Sequence, residues 1–142
     1  MVTTDTRQRL LDVAEGLFAD QGLKGTSLRA ITLKAEANLA AVNYHFGTKE
    51  GLFAAVFQRR IGPMTVERIR LLDQALEAAA PHAPALEDVL RAYLAPTLGL
   101  LTSHDPGAVN FPRLLGRVFS ESGEIKIQVL NQFRPSAERF LE

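Results

Sequence analysis

Leu10, Ala14, Leu17 and Phe18 fall on one face of an α-helix, and Gly22, just past the last of them, stops it as a left-handed cap. Gly25 adds a second break. Thr26 is the expected N-cap of a short second helix that turns Leu28, Ile31 and Ala35 inward. Only Glu36 and Ala37 separate it from Asn38, the next good capping residue, so a third helix starts at once, with Leu39, Val42 and Phe46 at helical spacing. Gly47 and Thr48 close that helix and cap a fourth, whose apolar stripe is Leu52, Phe53, Val56, Phe57 and Ile61. Proline inside a helix costs about 3 kcal/mol, so Gly62-Pro63 predicts a kink or restart there and a module boundary near residue 60.

Beyond Pro81 and Pro84 the same period returns. Leu86, Val89, Leu90, Tyr93 and Leu94 predict a fifth helix, Phe111, Leu114, Leu115, Val118 and Phe119 a sixth, and Ile125, Val129, Leu130 and Phe133 a seventh that bends at Pro135. No segment alternates as a strand would. The expected fold is therefore all-α: a three-helix reader module at residues 1–60, followed by the first part of a helical bundle at residues 61–142. The chain ends at Phe140-Leu141-Glu142 in a still amphipathic stretch, which predicts truncation.

Composition narrows the function. With 46% hydrophobic and 23% charged residues the chain reads as globular, and with no cysteine it has no disulfides, thiolate metal sites or cysteine nucleophile. Neither a signal peptide nor an apolar run long enough to span a bilayer is evident, so a cytoplasmic location is expected. Zinc-binding HExxH, phosphate-cradling glycine loops and nucleophile elbows are missing. The remaining candidates for acid-base chemistry, His82 with Glu87 and His104-Asp105, fall in or beside expected loops, so no enzyme activity, cofactor or metal is expected. Net charge is zero, yet residues 1–60 hold eight Lys/Arg against six Asp/Glu, and residues 61–142 hold eight against ten. That asymmetry places the positive charge where DNA contact would need it.

Two short helices joined by a tight link, with a longer helix on each side, make a helix-turn-helix over residues 26–46, whose second helix can enter a major groove. The run Thr26-Ser27-Leu28-Arg29-Ala30-Ile31, followed by Asn38-Leu39-Ala40-Ala41-Val42-Asn43-Tyr44-His45-Phe46-Gly47-Thr48-Lys49-Glu50, resembles the DNA-binding signature of tetracycline-repressor (TetR) type regulators. Chemistry gives each position a task. Leu39, Ala40 and Ala41 in the first turn of the reading helix permit close approach and contact with thymine methyl groups, and Asn43 offers an amide to a base edge or a phosphate. Tyr44, His45 and Lys49 offer a hydroxyl, an imidazole and a point charge to phosphates, although Tyr44 taken alone would better suit a partly buried packing role, an order that the resemblance reverses. Thr26, Ser27 and Arg29 make a second anion site at a helix N-terminus. The chain departs from the family pattern at Glu36, where glycine is usual, at Ala37, where a larger apolar residue is usual, and at Thr32, where alanine is usual. A left-handed backbone at Glu36 would cost about 1 kcal/mol relative to glycine.

The resemblance implies double-stranded, near-palindromic operator DNA and a small-molecule effector as partners, and a homodimer formed through helices further along the family's chains. Phe111-Pro112-Arg113-Leu114-Leu115-Gly116-Arg117-Val118-Phe119-Ser120 looks most like the PsrA-like subgroup that regulates fatty-acid degradation, which implies a fatty acid or acyl-CoA effector. On that reading Leu94, Phe111, Leu115 and Phe119 would line its cavity, with Arg113 or Arg117 near its head group; the same apolar spacing also suits ordinary core. The alternative to a DNA reader is a helical protein-interaction module whose reader has decayed.

Overall fold

The computed structural model describes residues 2–121 and 123–142. Met1, the first residue of the expected reader module, and Ser122, in the second, lie outside them. The described residues are helical without strands: α1 (Val2–Gln21), α2 (Leu28–Lys34), α3 (Leu39–Phe46), α4 (Lys49–Ala79), α5 (Leu86–Leu101), α6 (Asn110–Ser120), α7 (Glu124–Leu130), a 3-10 turn (Asn131–Phe133) and α8 (Arg134–Leu141). No helix among them is long and apolar enough to cross a membrane.

Short-range chemistry sets most of these ends. Gly22 takes a φ of +75° and its N–H reaches the Phe18 carbonyl at 2.8 Å, which closes α1. Two expected breaks fall elsewhere. α4 runs unbroken through Pro63, because Ile61 and Met64 on either side of it are buried in the core and their burial offsets the lost hydrogen bond. The expected module boundary therefore lies inside a continuous helix. Near the C-terminus the bend comes at the 3-10 turn, and Pro135 sits in the first turn of α8, where a missing N–H costs little.

α4 is the axis of the fold: α1, α3, α5, α7 and α8 all pack on it. A ladder of edge-on aromatic rings crosses the middle, from Phe18 of α1 to Phe53 (5.0 Å between centroids), then to Phe57 (5.2 Å) and to Phe111 of α6 (6.3 Å). One apolar cluster thus joins the expected reader to the helices that follow it, including Leu114, Val118, Ile125 and Val129.

Beside this ladder lies a charge network that sequence pattern alone did not reveal. Glu15 is buried on α1 between Leu11 and Phe18. Arg60 of α4 donates to both its oxygens, Nε to Oε2 at 2.9 Å and Nη2 to Oε1 at 2.7 Å, and also pairs with Asp105 in the loop before α6. Arg59 adds bonds to Asp12 at 2.6 Å and to Glu15 at 3.2 Å. The Glu15 hydrogen bond raises the Arg60 pKa above its ordinary value, against the opposing effect of burial. The legible signal was a carboxylate inside an apolar helical face, which can persist only if a cation meets it.

A second buried cation, Arg68, ties α4 to α5. Its Nε donates to the Tyr93 carbonyl at 2.9 Å and its Nη2 to Thr97 Oγ1 at 2.7 Å, while the guanidinium lies 4.3 Å from the centre of the Tyr93 ring.

Two outcomes follow. Glu15→Ala strands Arg60 and Arg59 beside a cavity and should lower stability by about 3 kcal/mol, read as a shift of the urea midpoint. The Asp105 carboxyl is held below its ordinary value of 3.8, first by the hydrogen bond from Arg60 and then by the Gly107 N–H. A carboxyl depressed in the folded state adds stability above its unfolded pKa and loses it as pH falls through the folded value. Stability should therefore decline below about pH 4, and a urea-midpoint series on Asp105→Asn should decline less over that window.

Candidate nucleic-acid interface

Three caps fix the two short helices. Ser27 accepts from the Ala30 N–H at 3.1 Å to start α2, Asn38 from the Ala41 N–H at 2.9 Å to start α3, and Thr48 from the Gly51 N–H at 2.9 Å to start α4. The cap of α2 is thus Ser27 and not Thr26. Thr26 is buried, and its hydroxyl donates to the Gly22 carbonyl at 2.7 Å, so its side chain closes the α1–α2 turn and does not reach the outer face. In the turn between α2 and α3, Glu36 adopts a φ of +52° and the Ala37 N–H bonds the Thr32 carbonyl at 2.9 Å, the left-handed closure that glycine makes without strain. The exposed Glu36 carboxylate adds negative charge beside the N-terminus of α3.

With Ile31, Ala35 and Val42 buried, the opposite side of the motif faces solvent. Tyr44 is 79% exposed and Leu39 53%, Ala40 and Asn43 are exposed, and Ala41 is half-buried against the core. Ser27 and Arg29 are exposed at the start of α2. His45 is half-buried, its ring edge-on to Tyr44 at 5.0 Å between centroids. Leu39, Ala40, Asn43 and Tyr44 therefore share the outer surface of α3, beside the N-terminal turn of α2.

Lys49 differs from expectation. Its Nζ donates to the carbonyls of Leu23 at 2.9 Å and Thr26 at 3.1 Å, so the ammonium braces the α1–α2 turn from the first turn of α4. Two further arginines grip the same end of α1 from α6. Arg117 donates to the carbonyls of Ala19 at 3.3 Å and Asp20 at 2.6 Å, and Arg113 to the Asp20 carboxylate at 2.6 Å. Arg117 thereby satisfies carbonyls that the helix end leaves free. The partners of both arginines lie more than 90 residues away in sequence, beyond the reach of local pattern.

The expected effector set does not converge. Phe111 is buried in the core, Leu115 packs against it, Phe119 is exposed with Lys126 5.8 Å from its ring, and Leu94 lies on the outer face of α5. Helical spacing cannot distinguish a cavity wall from core or from an outer face, and here it mixed the last two. A groove of about 450 Å³ lies between α4 and α5, lined by Leu71, Ala75, Ala78, Ala92 and Ala95 with Asp88 and Arg91 at its edge. No group of three or more His, Asp or Glu among the described residues is placed to hold a metal.

Lys49→Ala removes two charge-assisted bonds and should lower the urea-derived stability by about 1.5 kcal/mol. The slope of any DNA affinity against salt should stay unchanged, whereas a phosphate-binding lysine would reduce it by about one unit.

Residues 10–56 match the family described as bacterial regulatory proteins, tetR family. The chain is 38% identical over 66 residues to the HTH-type transcriptional regulator AcrR of Shigella flexneri, covering 44% of this chain and 31% of that protein. It is 42% identical over 53 residues to the HTH-type nicotine-responsive transcriptional repressor HdnoR of Paenarthrobacter nicotinovorans, covering 37% of this chain and 27% of the repressor. Among solved structures, the SmeT–triclosan complex has a TM-score of 0.67 at 22% identity, covering 94% of this chain and 61% of that one, a likeness of fold. The matched segments span less than half the length of these curated relatives. Caps, turn and sequence agree in one respect: residues 10–56 are similar to the N-terminal domain of the tetR family of bacterial regulatory proteins.

Proposed function

We propose that this chain reads operator DNA as part of a transcriptional repressor whose hold on the operator is tuned by a small molecule. The observation that carries the reading is the outer face of α3. Leu39, Ala40, Asn43 and Tyr44 are exposed there on a helix whose ends are fixed by the caps at Asn38 and Gly47. A rigid helix bearing short apolar side chains, one amide and one phenol suits a major groove, with Ser27, Arg29 and His45 set to position the phosphate backbone. Glu36 weakens the electrostatic attraction without removing that surface.

For the effector, the α4–α5 groove is a better candidate than the four residues the sequence suggested. Its alanine-rich wall suits an acyl chain. Arg91 at its edge supplies a cation. A fatty acid or acyl-CoA remains the class that the sequence resemblance implies, and its carboxylate or thioester carbonyl would meet that guanidinium.

The test is binding to fluorescent fragments of the DNA upstream of the gene, at two salt concentrations, with and without oleoyl-CoA. Selective binding that weakens steeply with salt, falls at least about tenfold in Tyr44→Ala and is released by oleoyl-CoA is expected. Salt-insensitive binding, or none, would favour the interaction-module reading; retention in oleoyl-CoA would remove the acyl effector alone.

A further inference from the structure

On the reading that α3 enters a major groove, which the proposed function requires, the side chains it carries there decide which base pairs it favours. Guanine is read in that groove by arginine or lysine at O6 and N7, and cytosine by a carboxylate at N4. The eight residues Leu39–Phe46 include no arginine, lysine, aspartate or glutamate. The cations of the two-helix motif, Arg29 and Lys34, stand on α2, and the Lys49 ammonium is engaged with the Leu23 and Thr26 carbonyls. Glu36 stands in the turn that precedes the Asn38 cap. What α3 turns outward is Leu39, Ala40, Asn43 and Tyr44, which share one helical face. Leu39 and Ala40 open the helix, and the N-terminal residues of a reading helix are those that meet base edges. Asn38 is also an amide, but its Oδ1 accepts from the Ala41 N–H at 2.9 Å as the cap, which leaves Asn43 as the amide free for a base.

We infer that α3 selects A·T pairs, and that it does so mainly by sensing the C5 methyl group of thymine, with Leu39 as the residue that sets the preference. That methyl is the one apolar group that distinguishes base pairs in the major groove. An aliphatic side chain gains nothing from the polar edges of guanine, cytosine or adenine, so its affinity rises only where a methyl meets it. Ala40, beside Leu39, is short enough to let the helix come close. Asn43, one turn further along the same face, extends the choice in the same direction, because an amide fits the N6 and N7 of adenine. Burying one methyl against Leu39 raises affinity about fourfold. Arg29 and Ser27, at the start of α2, contribute attraction to phosphates that is the same for every sequence. Discrimination therefore resides in apolar contacts, and salt-sensitive attraction resides elsewhere in the motif.

The test compares the bound upstream fragment with the same fragment carrying uracil in place of every thymine, which removes the methyl groups and keeps the sequence and its hydrogen-bonding groups. Affinity should fall about tenfold or more, as for two or more contacted methyls. A fragment made with 5-bromouracil, whose bromine fills the volume of the methyl, should restore it. In Leu39→Ala the ratio of thymine to uracil affinity should shrink by about fourfold, whereas Arg29→Ala should weaken binding of both fragments alike. Leu39 is exposed, so helicity by circular dichroism should not change in Leu39→Ala. Selective binding with equal affinity for the two fragments would overturn the inference and leave the regulator reading standing; so would a thymine preference that Leu39→Ala leaves intact. Selective binding to neither fragment would overturn both.

Discussion

Glu15 is the constraint on which the arrangement turns. A carboxylate in the middle of an apolar helix face is tolerable only when cations meet it, and Arg60 and Arg59 do so from α4. That requirement fixes the rotation of α1 about its axis and its height along α4. Asp105, sharing Arg60, brings the α5–α6 loop to the same point. The apolar ladder and the ion network thus meet at one point and tie α1, α4 and the α5–α6 loop together.

Around that point the molecule holds the two ends of the reader differently. α3 is defined locally, by Asn38, Gly47 and the turn at Glu36. The α1–α2 turn is held from a distance, by Lys49 on Leu23 and Thr26, while Arg117 holds the end of α1 that leads into it. The ends of α3 are thus set by its own caps, whereas the α1–α2 turn beside it is held by side chains of α4 and α6. A displacement of α6 would be felt at the end of α1 before anywhere else in the motif.

The same division explains what could be read from the chain. Asn38, Gly47, Thr48 and the left-handed Glu36 were legible because each acts within four residues of itself. The one-residue shift of the α2 cap, from Thr26 to Ser27, was not, because either hydroxyl could cap and only the packing of the turn buries one of them. Pro63 did not restart the helix, because buried neighbours on both sides held α4 continuous where local propensity argued for a break. Lys49 was assigned to phosphate by its charge and place in the first turn of α4, and the carbonyls it serves lie 23 and 26 residues earlier. Leu94, Phe111, Leu115 and Phe119 share a helical period but not a location, since periodicity reports that a face is apolar and is silent about what meets it.

The ring ladder from Phe18 through Phe53 and Phe57 to Phe111 has a consequence for how the protein can be divided. Sequence pattern suggests a reader that ends near residue 60, yet α6 supplies the last rung and two arginines at the end of α1. Such a core has no internal seam. A fragment ending near residue 60 would keep Arg59 and Arg60 for Glu15 but would strip Phe57 of its Phe111 neighbour and the end of α1 of its two arginines, so the boundary that sequence pattern suggests runs through shared contacts.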